Sequence, residues 1–258
     1  MSVMLEWKKG KRTGLLPAFL GGGILSAVVP FVNMSVRSER YLVQQGTPIQ
    51  VLMGANWQMM AMLNILLIVA GTCLLYHIEY ADNAVQRMKS LPIPESSLFF
   101  GKVILIFFMI ALVLAIEAGM ILFCSLHWFD IGNGVEIGSG VEIGSEFNLG
   151  NEFGIELCQS FGYAFLLTLP CIILSLLISQ CCRNMWVSLG IGVVCVFTAT
   201  MLPTDSFWLS LFPYAMPFQI FTGTDRVRTL HYLYAAGIEL AFLSLAELIL
   251  IKVRRYFS

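Results

Sequence analysis

EYADNAVQRMKSLPIPESSLFFGK, residues 79–102, is a polar, partly basic stretch between two apolar runs, WQMMAMLNILLIVAGTCLLY (57–76) and VILIFFMIALVLAIEAGMILFCSL (103–126). Each run has the length of about 20 residues that crosses the hydrocarbon core as a helix. The stretch is therefore the connection of a membrane helical hairpin. Within it, Ala81, Val85 and Met88 recur at i, i+4 and i+7, which predicts a short helix with one apolar stripe. Leu91-Pro92 ends that helix, because the residue before a proline avoids helical geometry. Pro94-Glu95-Ser96-Ser97 opens the next, with the acid at the positive end of the helix dipole. The expectation is a rigid lever over 80–92, held between two spans and shaped to enter a groove on a cytosolic partner. A plain hairpin loop with solvated charges has the same periodicity.

The rest of the chain is apolar. Hydrophobic residues make up 58% and charged residues 12%. A soluble domain carries about 25% charge, so this surface cannot all face water. The net charge of -1 carries no nucleic-acid signal, because what matters is where the charges sit. Six spans are expected, near 15–34, 57–76, 103–126, 157–178, 186–202 and 232–251, in one all-α, polytopic membrane domain over 1–258. Gly21-Gly22-Gly23 in the first span permits close helix approach. Residues 1–14, with Trp7 among Lys8, Lys9, Lys11 and Arg12, form an interfacial segment on membrane lipid or a basic flank that orients the first span. Eleven of the 15 Lys and Arg fall on the side of the two termini and the 79–102 loop; Arg37, Arg40, Arg226 and Arg228 fall on the other. The positive-inside rule places both termini and the loop in the cytoplasm of a multi-pass cell-membrane protein.

Three segments differ from plain spans. Residues 35–56 are expected as an outer loop, with Asn56 able to cap the second span. Residues 127–156 carry a six-residue period, IGNGVE, IGSGVE, IGSEFN, LGNEFG, with Glu136, Glu142, Glu146 and Glu152 among six acids and no Lys or Arg. Hexads of this kind resemble one coil of a parallel β-helix, but too few are present to stack, so a hairpin-like or irregular outer loop is expected. Its negative field would attract a cationic peptide, or it is a solvated repeat. Residues 203–230 are too apolar for a free loop and too broken by Pro203, Pro213 and Pro217 for a span. Short interfacial or re-entrant outer helices fit them, and Phe207, Trp208, Phe212 and Phe218 are candidates for an outer gate.

Three acids lie inside spans: Glu117, Glu239 and Glu247. A charge there costs a few kcal/mol, which marks each as a candidate for the substrate path. They could receive a cationic peptide, relay protons, or bond as neutral carboxyls to neighbouring helices. The seven cysteines show no metal-ligand spacing and read as free thiols. No metal site and no hydrolytic arrangement stands out. No G-x(4)-G-K-[ST] loop is present, so the chain is not expected to bind ATP or to be an enzyme.

Glu79, Asn83, Lys89, Leu91-Pro92 and Lys102 fit E-x(3)-N-x(5)-K-x-L-P-x(9)-K. This pattern resembles that of type-2 ABC exporter permeases, particularly the lantibiotic-immunity and bacitracin-resistance transporters. The six spans and the aromatic segment before the last resemble that layout too. The resemblance implies that Glu79, Asn83, Val85, Met88, Lys89, Leu91 and Pro92 belong to a coupling helix that docks on a separate ABC ATPase, two copies of which hold ATP and Mg. It also implies a second permease, often non-identical, and export of a lantibiotic-like antimicrobial peptide. A different reading is an integral membrane sensor or assembly factor that binds cationic peptides on its acidic outer loop without transport.

Overall fold

The computed structural model describes residues 14–44, 46–81, 95–129, 146–182, 184–203, 206–221 and 226–257. These residues form six α-helices: α1 Leu15–Leu42, α2 Pro48–Ala81, α3 Glu95–Trp128, α4 Glu146–Cys181, α5 Met185–Met201 and α6 Arg226–Phe257, with a 3-10 turn at Met216–Phe218. Among the described residues there is no strand. Five of the helices are long and apolar enough to cross a membrane. The fifth in order, α5, has 17 residues, about 25 Å at 1.5 Å per residue, short of a hydrocarbon core of about 30 Å.

Most of the long helices extend beyond the expected spans. The outer loop expected over 35–56 contracts to a turn near 43–47, because α1 continues to Leu42 and α2 starts at Pro48. Pro48 supplies a preset φ and no N–H where a first-turn donor would be unpartnered anyway. Asn56 consequently lies within α2 instead of capping it; its Nδ2 donates to the Leu52 carbonyl at 2.9 Å and its Oδ1 accepts from Asn33 at 2.8 Å. Both ends of the acidic hexad segment are helical. Residues 127–128 close α3 and residues 146–156 open α4, so Glu146 and Glu152 sit in helical turns, while Glu136 and Glu142 lie outside the described residues. Among the described residues of 203–230 the expected short helices reduce to turns and one 3-10 turn, and 226–230 already belong to α6.

The helices form where they do because their apolar stripes match their neighbours. On α1 the buried residues are Leu15, Phe19, Gly23, Ser26, Ala27, Pro30 and Met34, a stripe at intervals of three and four. It faces α2 and α3. α2 is the central element, touching α1, α3, α4, α5 and the 3-10 turn, whereas α6 rests mainly on α4. In lipid the helices gain little from hydrophobicity and associate through close packing, so small residues at the contacts matter most. A Cβ on Gly22 would come within 2.8 Å of Leu67 on α2, and one on Gly23 within 3.2 Å of Val113 on α3. Two of the three consecutive glycines therefore set the approach of α1 to both neighbours.

The tightest contact joins α5 to α2. A Cβ on Gly192 would lie 2.3 Å from Val69 Cγ1 and 3.3 Å from Val69 Cβ, whereas one on Gly190 meets nothing within 4 Å. Valine is β-branched and cannot swing its methyls away freely. Gly192→Ala is expected to destabilise the protein by about 1–3 kcal/mol through overpacking. Gly190→Ala, one turn-fraction away, is expected to be neutral or slightly stabilising. Thermal unfolding of the two variants in detergent, followed by circular dichroism, checks the pair.

Candidate functional site

Three polar groupings run along the bundle, and each ties helices that the apolar stripes alone would leave free to slide. The first lies at mid-bundle. Glu117 on α3 is fully buried. Its Oε1 accepts from the Ser26 hydroxyl of α1 and its Oε2 from Asn64 Nδ2 of α2 at 3.0 Å. Among the described residues it has no ion pair. These bonds join Glu117 to both neighbouring helices. Glu239 and Glu247 sit apart from it on α6, eight residues and so roughly two turns from one another, with Glu239 half-buried and Glu247 buried.

The second grouping lies at the ends of α2, α3 and α4 nearest the 79–102 connection. Lys102 is only 3% exposed. Its ammonium sits 4.8 Å from the centre of the Tyr76 ring, a cation–π contact, and Tyr76 Oη donates to Gln180 Oε1 at 3.4 Å. Lysine suits this position because its long apolar stem can lie buried while its head meets an aromatic face. A thiol and hydroxyl network continues inward. Cys73 Sγ donates to Ser188 Oγ at 3.2 Å, Ser188 to Ser179 at 3.0 Å, and Ser179 to Thr72 at 3.4 Å, joining α2, α5 and α4. All seven cysteines are free, as expected. Glu79 lies in the last turns of α2. Asn83, Val85, Met88, Lys89, Leu91 and Pro92 lie outside the described residues, as does the start of the interfacial segment 1–14.

The third grouping is at the opposite end. Trp57 Nε1 donates to the Pro217 carbonyl at 2.9 Å, pinning the 3-10 turn onto α2, and its ring meets Phe161 of α4 edge-on at 5.9 Å. Tyr214 bonds Ser175 at 2.9 Å, and Tyr232 bonds Ser210 at 2.6 Å. Of the gate candidates, Phe207 packs on Tyr232 at 5.3 Å, Phe212 on Tyr214 at 5.6 Å, and Phe218 is buried. Trp208 points outward, 82% exposed. At the same end Glu156 of α4 accepts from Thr47 Oγ1 at 2.9 Å and Gln50 Nε2 at 2.8 Å, which closes the turn between α1 and α2.

The sequence reading therefore found Glu117 but not Ser26 and Asn64, and found the aromatic segment but not Trp57 that holds it. An asparagine amid an apolar run is itself a signal, since an amide in lipid must find a partner on another helix. Among the described residues no cluster of three His, Cys, Asp or Glu could hold a metal ion.

No curated protein and no solved structure matches the chain significantly. The all-helical architecture, the five apolar helices of membrane-crossing length and the polar ties between them are those of a multi-pass membrane protein. The family model described as ABC-2 family transporter protein matches residues 2–200, most of the chain, and the chain thus belongs to that family as a membrane component of an ABC transporter.

Proposed function

We propose that the chain is a permease subunit of an ATP-driven exporter that expels an antimicrobial, lantibiotic-like peptide from the membrane and so confers immunity or resistance. A separate ATPase, present in two copies with ATP and Mg, docks on the 80–92 lever. A second permease, identical or not, completes the pathway, and both termini face the cytoplasm of a bacterial cell membrane. In this reading α5 acts as the fifth of six spans, thinned at a bundle interior where it leans on α2 and α4.

The observation that carries the proposal is the layout of α2 and α3. Each is 34 residues long, about 51 Å, so each is longer than a hydrocarbon core of about 30 Å. The same two helices hold Asn64 and Glu117 at mid-bundle, bonded to one another. A push on the connection at one end is thereby passed to the polar centre by two stiff rods, with the Lys102–Tyr76 contact joining them at the base. The outer aromatic segment 206–221, pinned to α2 by Trp57, serves as the outer gate. The attraction of a cationic peptide to Glu136, Glu142, Glu146 and Glu152 supplies the encounter.

A photo-crosslinking residue at Val85 or Met88 tests the assignment in the intact complex. Illumination is expected to join the chain to the ATPase, whereas the same residue at Trp208 is expected to give no such product. Absence of the product at both lever positions overturns the docking assignment. A second expectation separates docking from transmission. Lys102→Met keeps the stem and removes the charge over Tyr76, worth about 1–2 kcal/mol when desolvated. It is expected to leave ATPase co-purification intact and to lower peptide-stimulated ATP turnover several-fold.

A further inference from the structure

The mid-bundle cluster has more acceptors than donors. Ser26, Asn64 and Glu117 are each at most 2% exposed. They come from α1, α2 and α3, with Asn64 near the centre of α2. The Ser26 hydroxyl and Asn64 Nδ2 both donate to Glu117, one to each carboxylate oxygen. Asn64 Oδ1 is buried and has no donor among the described residues. The Ser26 carbonyl lacks its usual helical donor, because Pro30, four residues later inside α1, has no N–H. Acceptors left in this state in hydrocarbon are costly unless something positive or hydrogen-bearing meets them.

We infer that this cluster is a binding site for one small monovalent cation of the sodium type, held by the Glu117 carboxylate, Asn64 Oδ1 and the oxygens of Ser26. The donor set is all oxygen, which suits a hard cation rather than a soft or transition metal. The charge count selects monovalent: one carboxylate balances one positive charge, and a divalent ion would leave an excess charge among apolar helices. Among the described residues no further acids gather to compensate it. The position also fits, since a proline inside a membrane helix leaves the carbonyl four residues earlier without its helical donor. Here that proline is Pro30, and the close approach of Gly22 and Gly23 to Leu67 and Val113 brings Ser26 to the other two helices. A bound cation would join α1 to the two helices that carry the cytosolic connection, giving ion occupancy a means to set how stiffly the bundle answers that connection.

The site goes beyond the export reading and is measurable on the full chain without the ATPase. Sodium-22 binding to the protein purified in detergent, with ionic strength held by choline chloride, is expected to saturate near one ion per chain and to be competed by unlabelled sodium but not by choline. Raising sodium from zero to about tenfold its half-saturating concentration is expected to raise the melting temperature by about 3–5 °C. Glu117→Gln and Asn64→Leu are each expected to abolish saturable binding, while Ser210→Ala, at the far end of the bundle, retains it. If Glu117→Gln does not fold, Asn64→Leu decides. Absence of saturable sodium binding to the folded wild-type chain overturns the inference, as does unchanged affinity in Asn64→Leu. A melting temperature that follows pH and ignores sodium also overturns it, and assigns the counter-charge to a proton.

Discussion

Deletion of residues 84–90, or the single change Leu91→Asp, is expected to abolish co-purification with the ATPase while the chain still inserts in the membrane. The first half of that result follows from the apolar stripe Ala81, Val85 and Met88. Burying a side chain the size of valine or methionine in a partner's groove contributes about 1.5–3 kcal/mol each. Removing two of them costs roughly a hundredfold or more in affinity by the usual relation of tenfold per 1.4 kcal/mol. Leu91→Asp adds an unpaired carboxylate at the lip of the same groove, where desolvation makes it worse than a simple truncation. The second half follows from what is left untouched. The apolar windows Pro48–Ile78 and Leu98–Trp128 are unchanged by either variant. Their packing on α1 and on each other is also unaltered, including the Ser26–Glu117–Asn64 bonds. Membrane fractionation and affinity pull-down on the same cells check both halves at once. Retention of the ATPase by the deletion variant would place the docking surface elsewhere, and the lever would then be an ordinary hairpin.

Apolar runs, the acids inside them and the polar segment between the second and third helices were legible in the sequence because each depends on composition within about 20 residues. Helix ends were not. The second helix begins nine residues before Trp57, since Pro48 can open a helix as readily as it can close a run. Likewise Glu146–Glu156 are polar enough to look like loop, yet they extend α4 beyond its apolar part. Glu156 there bonds Thr47 and Gln50, more than a hundred positions away in sequence, a partnership no local pattern announces. The same holds for the polar centre. Glu117 stands out as a charge in an apolar run, but Ser26 and Asn64 acquire meaning only once Gly22 and Gly23 let α1 close on both neighbours. What sequence supplied was each helix's inventory; which residues share a level is decided by cross-helix contacts.

The clearest instance is Trp57, and it carries the second large expected effect. Trp57→Ala is expected to destabilise the protein by about 3–5 kcal/mol, the range for emptying a buried tryptophan site. The side chain is 1% exposed, and its loss removes the contact with Phe161 and leaves the Pro217 carbonyl without its indole donor. Lipid does not fill a hole between α2, α4 and the 3-10 turn, so the lost packing is not replaced. Trp57→Phe keeps an aromatic ring there and forfeits mainly the hydrogen bond, about 1 kcal/mol. The functional consequence differs from that of the lever deletion. Because Trp57 lies at the end of α2 remote from Lys102 and Tyr76, the alanine variant is expected to keep its ATPase and to lose peptide export. A cysteine placed at Ser210, buried against Tyr232 in the parent, is expected to become accessible to a membrane-impermeant maleimide when Trp57 is truncated. If that cysteine stayed protected and melting were unchanged, Ser175–Tyr214 and Ser210–Tyr232 would be sufficient to hold the segment, and Trp57 would be a passenger in it. On the proposed function, the two variants divide the molecule at its polar centre: one end would bind the ATPase, the other would hold the exit closed, and α2 is the rod common to both.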